Sequence, residues 1–155
     1  MVTNRHGDSV DITLRSYETA AQRYADQSAA PSLALCAFLD LFTDTVGFGR
    51  VLEVGSGPGM DAAYLERRGL NVSRTDATPA FVEMMRAAGR EARLLDIRTS
   101  DLGGPWEAVL AQAVLLHLDR AQFADALQRI LVRGSLYGTT KTMYVPGRHS
   151  PGACP

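Results

Sequence analysis

Cysteine is scarce in these 155 residues, and no apolar run approaches the length of a membrane span. Cys36 and Cys154 are far apart and one lies near the chain end, which argues against a disulfide framework and against a cysteine-based metal site. No His/Cys/Asp cluster has metal-ligand spacing, so no metal is predicted. An excess of charge of one sign is also missing. Lys+Arg total 16 and Asp+Glu 17, a net charge of -1, which gives no electrostatic reason to expect nucleic acid or an anionic membrane as partner. The opening MVTNRHGDSVDITLRS has no apolar h-region. There is no internal repeat and no low-complexity tract. What remains is a chain of one-domain size, predicted to be soluble and cytoplasmic, with a hydrophobic fraction of 46%.

Residues 1–10 are polar and predicted to fray. Between Asp11 and Ala29 the residues Ile12, Tyr17, Ala20, Ala21 and Tyr24 recur at helical spacing. Pro31-Ser32 opens a second helix, LALCAFLDLF, which Gly47 and Gly49 end. Short apolar runs then alternate with helical stretches. RVLEV (50–54), LNVSRTD (70–76), EARLLD (91–96), WEAVLAQ (106–112) and SLYGTTK (135–141) read as strands. Thr78-Pro79 reads as an N-cap followed by proline at the first helical position. Asp119 with Gln122 three residues later resembles a capping box. The alternation predicts an α/β fold whose mostly parallel sheet is covered on both faces.

The most informative stretch is VLEVGSGPGMDAAYL. A strand runs into Gly55-x-Gly57-x-Gly59 and then into a helix. Gly55 permits the sharp exit from the strand, Gly57 lets a ligand approach the backbone, and Gly59 allows close packing where the helix starts. A glycine trio alone is weak evidence, but strand-turn-helix is the context such a motif needs. Asp76 follows 21 residues after Gly55 at the end of the second strand, placed to accept hydrogen bonds from ribose hydroxyls. Phosphate is disfavoured here. Asp61 in the first helical turn competes with an anion for the positive helix end, and Glu53 adds negative charge before the loop. A cationic ligand is helped by the same carboxylates, and Met60 stands where a dinucleotide pattern wants a small residue.

Glu53-x-Gly55-x-Gly57-x-Gly59, with Asp76 after strand two and Asp96 after strand three, resembles the class I S-adenosylmethionine-dependent methyltransferases of small-molecule type. The likeness covers residues 15–141, including SYETAAQRYAD, which is similar to their N-terminal helix. It implies a Rossmann-like, doubly wound parallel sheet in the order 3-2-1-4-5. Residues 1–46 would form N-terminal lid helices, 47–141 the core and 142–155 an irregular tail, all in one domain. It implies S-adenosylmethionine as cofactor, S-adenosylhomocysteine as product and a small-molecule acceptor. In that reading the glycine loop and Asp61 hold the methionine end and Asp76 the ribose. Asp96 accepts from the adenine amino group, while Ile97 and Ala77 pack on the ring. Glu53 supports the backbone N–H groups of the loop, and Gln112 stands where the chain passes the transferable methyl.

Three residues keep two readings. Tyr17 and Tyr24, seven apart, share a helix face and either pack on the core or close over the cofactor. His117, among leucines, is either a hydrogen-bonded structural histidine or a general base. Family members continue past strand five into a β-hairpin, whereas here the tail TMYVPGRHSPGACP follows, so the hairpin is expected to be absent. An uncovered SLYGTTK edge would then pair with another chain, predicting a homo-oligomer. Two other functions stay open: a cofactor binder that has lost its acceptor pocket, and an NAD-dependent oxidoreductase.

Overall fold

The computed structural model describes residues 5–28, 31–133 and 135–137. Helices α1 (Arg5–Gln27) and α2 (Leu33–Val46) precede an alternating core of β1 (Arg50–Val54), α3 (Met60–Arg67), β2 (Asn71–Asp76), α4 (Pro79–Ala87), β3 (Ala92–Leu94) and β4 (Ala108–Leu110). A 3-10 turn, Leu115–His117, leads to α5 (Arg120–Leu131), and β5 (Ser135–Tyr137) follows. The first four strands are parallel in the order β3-β2-β1-β4. Three residues of β5 pair with β4, also in parallel, at Ala108↔Ser135 through Leu110↔Tyr137. Of the expected strand 135–141, residues 138–141 lie outside the described residues, as does the tail.

Strand pleating sends alternate side chains to opposite faces, and two cores result. Val51, Ala108 and Leu110 face one core with Val72, Leu39 and Phe42 of α2, and Ala62 and Leu65 of α3. Leu52, Val54 and Val109 face the other, with Leu95, Ile97 and, from α5, Ala126 and Ile130. The sheet is therefore covered on both sides, as the alternation predicts.

Several expectations need correction. Helix α1 begins at Arg5, earlier than its apolar pattern suggests. Its packed stripe is Val10, Leu14, Tyr17 and Ala21, while Ile12 is exposed and Tyr24, at 41% exposure, is covered on one side only. Helix α2 is no lid: its buried face (Cys36, Leu39, Phe42) belongs to the core on the α3 side. Strands β3 and β4 are only three residues each, so Asp96 and Gln112 lie beyond their ends rather than on them. The capping box at Asp119 and Gln122 forms in both directions. Thr78 is the N-cap residue of α4, yet its side chain makes no cap bond. It turns to Asp76 instead. Among the described residues, no helix is long and apolar enough to cross a membrane.

Candidate functional site

A cleft opens at the C-terminal ends of β1, β2 and β3, the usual ligand position in open α/β sheets. It encloses about 810 Å³ of space, part of it open to solvent. The floor is the loop between β1 and α3. Left-handed φ values at Gly55 (73°), Gly57 (52°) and Gly59 (84°) explain the glycine spacing, because side-chain-bearing residues rarely adopt them.

Each glycine answers to a different neighbour. A Cβ on Gly55 would stand 2.2 Å from Val114 Cγ2, so this position is closed by packing. A Cβ on Gly59 would stand 3.1 Å from Met85 Sδ, where α3 starts against α4. At Gly57 a Cβ would meet only Tyr24 Cε1, at 3.8 Å across the cleft. Gly57 is thus the place where bare backbone faces the ligand space.

Hydrogen bonds stitch this floor to β2. Ser56 N–H donates to the Thr75 carbonyl at 2.8 Å, and Thr75 N–H donates to Ser56 Oγ at 3.1 Å. Thr75 Oγ1 donates to the Glu53 carbonyl at 2.7 Å. Asp76 closes the stitching: Oδ2 accepts from Gly57 N–H and Oδ1 from Thr78 N–H, both at 2.8 Å. Burial pushes the Asp76 carboxyl up from its ordinary value, against these donors. Its carboxylate lines the cleft, where the Thr78 side chain and the Ala77 backbone also donate to it.

The far wall is built differently. Asp96 and Ile97 both line the cleft, as does Ala77. Asp96, however, is engaged by Arg98, whose backbone N–H, Nε and Nη2 all donate to its carboxylate at 2.6–3.0 Å. Arg98 Nη2 also reaches Asp11 of α1 at 3.1 Å. Burial would raise the Asp96 carboxyl, but Arg98, with the charge of Arg129, outweighs it and holds the pKa below the usual range. Arg129 of α5 in turn donates to the Ile97 and Ser100 carbonyls, holding the turn after β3.

Helix α1 forms the roof. Val10, Thr13, Leu14, Tyr17 and Tyr24 all face the cleft. Tyr17 and Tyr24 lie edge to face at 5.6 Å and both pack on Phe81 of α4, at 6.0 and 5.5 Å. Glu18 accepts from Ala80 N–H at 2.9 Å, so α1 caps the first turn of α4. His117 lines the opposite side, 6.1 Å from the Tyr17 ring, and burial lowers its pKa, keeping it neutral near pH 7. Gln112 and Ala113 complete the rim.

Of the predicted site residues, Tyr17, Tyr24, Gly55, Gly57, Asp76, Ala77, Asp96, Ile97, Gln112 and His117 line one cleft. Glu53, Gly59 and Asp61 do not. Glu53 is buried, and Asp61 sits in the first turn of α3. Burial first, then the charge of Asp61, push the Glu53 carboxyl up to about 8. Burial raises Asp61 to about 6. Glu53 is not seen bonding the loop backbone: its side chain meets the Ser56 side chain. Among the described residues, no three His, Cys, Asp or Glu side chains converge as a metal site.

Sequence reasoning missed Phe81, Val10, Leu14, Arg98, Val114 and Leu118, all of which line the cleft. It also passed over Ala113, a non-glycine residue at φ 54°. Arg98, two residues after Asp96, carried a readable signal as an Asp-x-Arg pair.

A methyltransferase domain family matches residues 52–137, more than half of the chain. No curated protein matches it in sequence. Among solved structures, the DhpI-SAM-HEP complex is similar at 22% identity and TM-score 0.66, covering 87% of this chain and 64% of that one. The Burkholderia thailandensis 1,6-didemethyltoxoflavin-N1-methyltransferase, solved with 1,6-didemethyltoxoflavin and S-adenosylhomocysteine, is 18% identical with TM-score 0.65. It covers 87% of this chain and 61% of that one. The [4+2]-cyclase SpnF reaches TM-score 0.65 at 16% identity, covering 82% and 57%. At such identities these structures establish the fold alone, and the chain spans less than two thirds of each.

Proposed function

Because this chain belongs to the methyltransferase domain family of the class I S-adenosylmethionine-dependent type, we propose that its cleft binds S-adenosylmethionine and serves methyl transfer to a small-molecule nucleophile. The observation that carries the reading is Asp76. One carboxylate holds the Gly57 N–H and faces the cleft beside the bare Gly57 backbone.

The residues present fit this cofactor better than a dinucleotide. Asp61 and Asp76 place carboxylates beside the loop, which favour a ligand bearing an ammonium and a sulfonium and oppose a pyrophosphate. When bound, the cofactor supplies an electrophilic methyl group for in-line displacement by the acceptor. Asp76, on the cleft at the end of β2, would accept from the ribose hydroxyls. Ala77 and Ile97 would take the apolar faces of the adenine. Asp96 reaches the adenine amino group only by sharing its carboxylate with Arg98. Tyr17 and Tyr24 on α1 exclude water from above.

Catalysis by proximity and orientation needs no dedicated base if the acceptor is already deprotonated. His117, neutral and on the cleft wall, is the group able to take a proton from a hydroxyl acceptor. Incubation with S-adenosylmethionine and a panel of phenols, amines and thiols, with S-adenosylhomocysteine followed by mass spectrometry, tests the activity. Acceptor-dependent product is expected. Cofactor binding without turnover across the panel would leave a cofactor binder in its place.

A further inference from the structure

Among the described residues, two buried polar side-chain atoms have no hydrogen-bond partner, Oε2 of Glu53 and Nε of Arg74. Buried polar groups are nearly always paired, so such atoms call for a cause. These two belong to register partners, Glu53 on β1 and Arg74 on β2, whose side chains leave the sheet on the same face. Both residues are buried, at 2% and 5% exposure. Yet no ion pair joins them. Arg74 turns to Glu66 of α3 at 2.6 Å, a carboxylate that also takes Arg90 at 3.2 Å.

The groups facing Glu53 are Asp61 from α3, Ser56 from the glycine loop, and Arg74 and Asp76 from β2. Burial and Asp61 act against its ionisation, whereas Ser56 and Arg74 favour it. A neutral Glu53 offers Arg74 no charge, so the guanidinium goes to Glu66 and both inner atoms stay orphaned. What this cluster lacks is one more positive charge near the loop.

We propose that the ammonium group at the amino-acid end of the ligand, settling on the glycine loop, ionises Glu53, and that Arg74 is the positioning residue that takes up the new carboxylate across the β1–β2 ladder. The proton leaves the Glu53 carboxyl for solvent, its bonding electrons stay on the carboxylate, and no other bond changes. This rests on the S-adenosylmethionine reading of the cleft. Ligand binding is then proton-linked. Affinity strengthens as pH rises from 6 to 8 and levels off above about 8, where Glu53 is already ionised before the ligand arrives.

Calorimetry of S-adenosylhomocysteine binding at pH 7, in two buffers of different ionisation enthalpy, counts the protons. Close to one proton released per ligand is expected, with Glu53→Gln releasing none. Arg74→Met should weaken binding about tenfold, the equivalent of one pKa unit, and Arg74→Lys should restore most of it. Should Glu53→Gln fail to fold, Asp61→Asn serves instead. It leaves Glu53 partly ionised beforehand, so its release should fall well below that of the wild type.

Binding without proton release, or wild-type release in Glu53→Gln or Asp61→Asn, overturns the inference and leaves the cofactor reading standing. Absence of any binding by the wild-type protein overturns the cofactor reading and this inference with it.

Discussion

Asp76 closes β2 and Asp96 follows β3, and both carboxylates line the same cleft, but they are held in opposite ways. Asp76 is buried and takes backbone N–H groups from Gly57 and Thr78. Asp96 is half-buried and takes a guanidinium, that of Arg98, which continues to Asp11 on the roof helix. Burial raises one carboxyl, and the cation lowers the other. The floor of the cleft is thus a backbone construction with little freedom, while the far wall is an ionic one that ties α1 down. An acid at a strand end marks a position, and its neighbours decide its work.

The contrast is tested most severely within the floor itself. Gly55→Val would drive a side chain into Val114 at a left-handed φ, and a loss of about 4 kcal/mol or failure to fold is expected in thermal melts. Gly57→Val also strains a left-handed φ but meets only Tyr24 across the cleft, so it should cost less stability than Gly55→Val while lowering ligand affinity at least tenfold in calorimetry. Equal damage to stability from the two would erase the distinction between packing glycine and ligand glycine.

Next in size is Asp76→Ala. It leaves the N–H groups of Gly57 and Thr78 without their acceptor, so stability should fall by about 2 kcal/mol in denaturant unfolding as cofactor affinity falls. A variant that loses affinity at unchanged stability would assign Asp76 to the ligand alone. Arg98→Met should cost about 1 kcal/mol or less, because its partners are partly exposed. Its signature is different: amide exchange across α1 should quicken, and the difference from wild type should shrink in high salt. Salt-independent loss would mean that Arg98 acts by packing. Smallest is Ala113→Gly, which should change stability by less than about 1 kcal/mol, since relief at φ 54° opposes the added chain entropy.

The floor was legible in the sequence because its signals are local. Glycine spacing, the strand before it and Asp76 beyond it each follow from backbone conformations that few residues adopt. The wall was legible only in part. Asp96 could be placed after β3, but its capture by Arg98 depends on a side-chain rotamer, which spacing does not state. Two helices in residues 1–46 were both expected as lid, yet only α1 lines the cleft. Which apolar face of α2 meets which side of the sheet is a tertiary choice that its own pattern leaves open. Phe81, Val10 and Leu14 were hidden because a cleft-facing apolar residue and a core residue share one periodicity. Ala113 was unreadable for another reason. A left-handed φ without glycine is imposed by the fold around it.

A calorimetric titration decides whether this cleft is built for S-adenosylmethionine. S-adenosylmethionine, S-adenosylhomocysteine and NAD are each titrated into the full chain under one set of conditions. Saturable one-to-one binding of the first two, with no binding of NAD, is the predicted result. Saturable binding of NAD with none of the other two would contradict it.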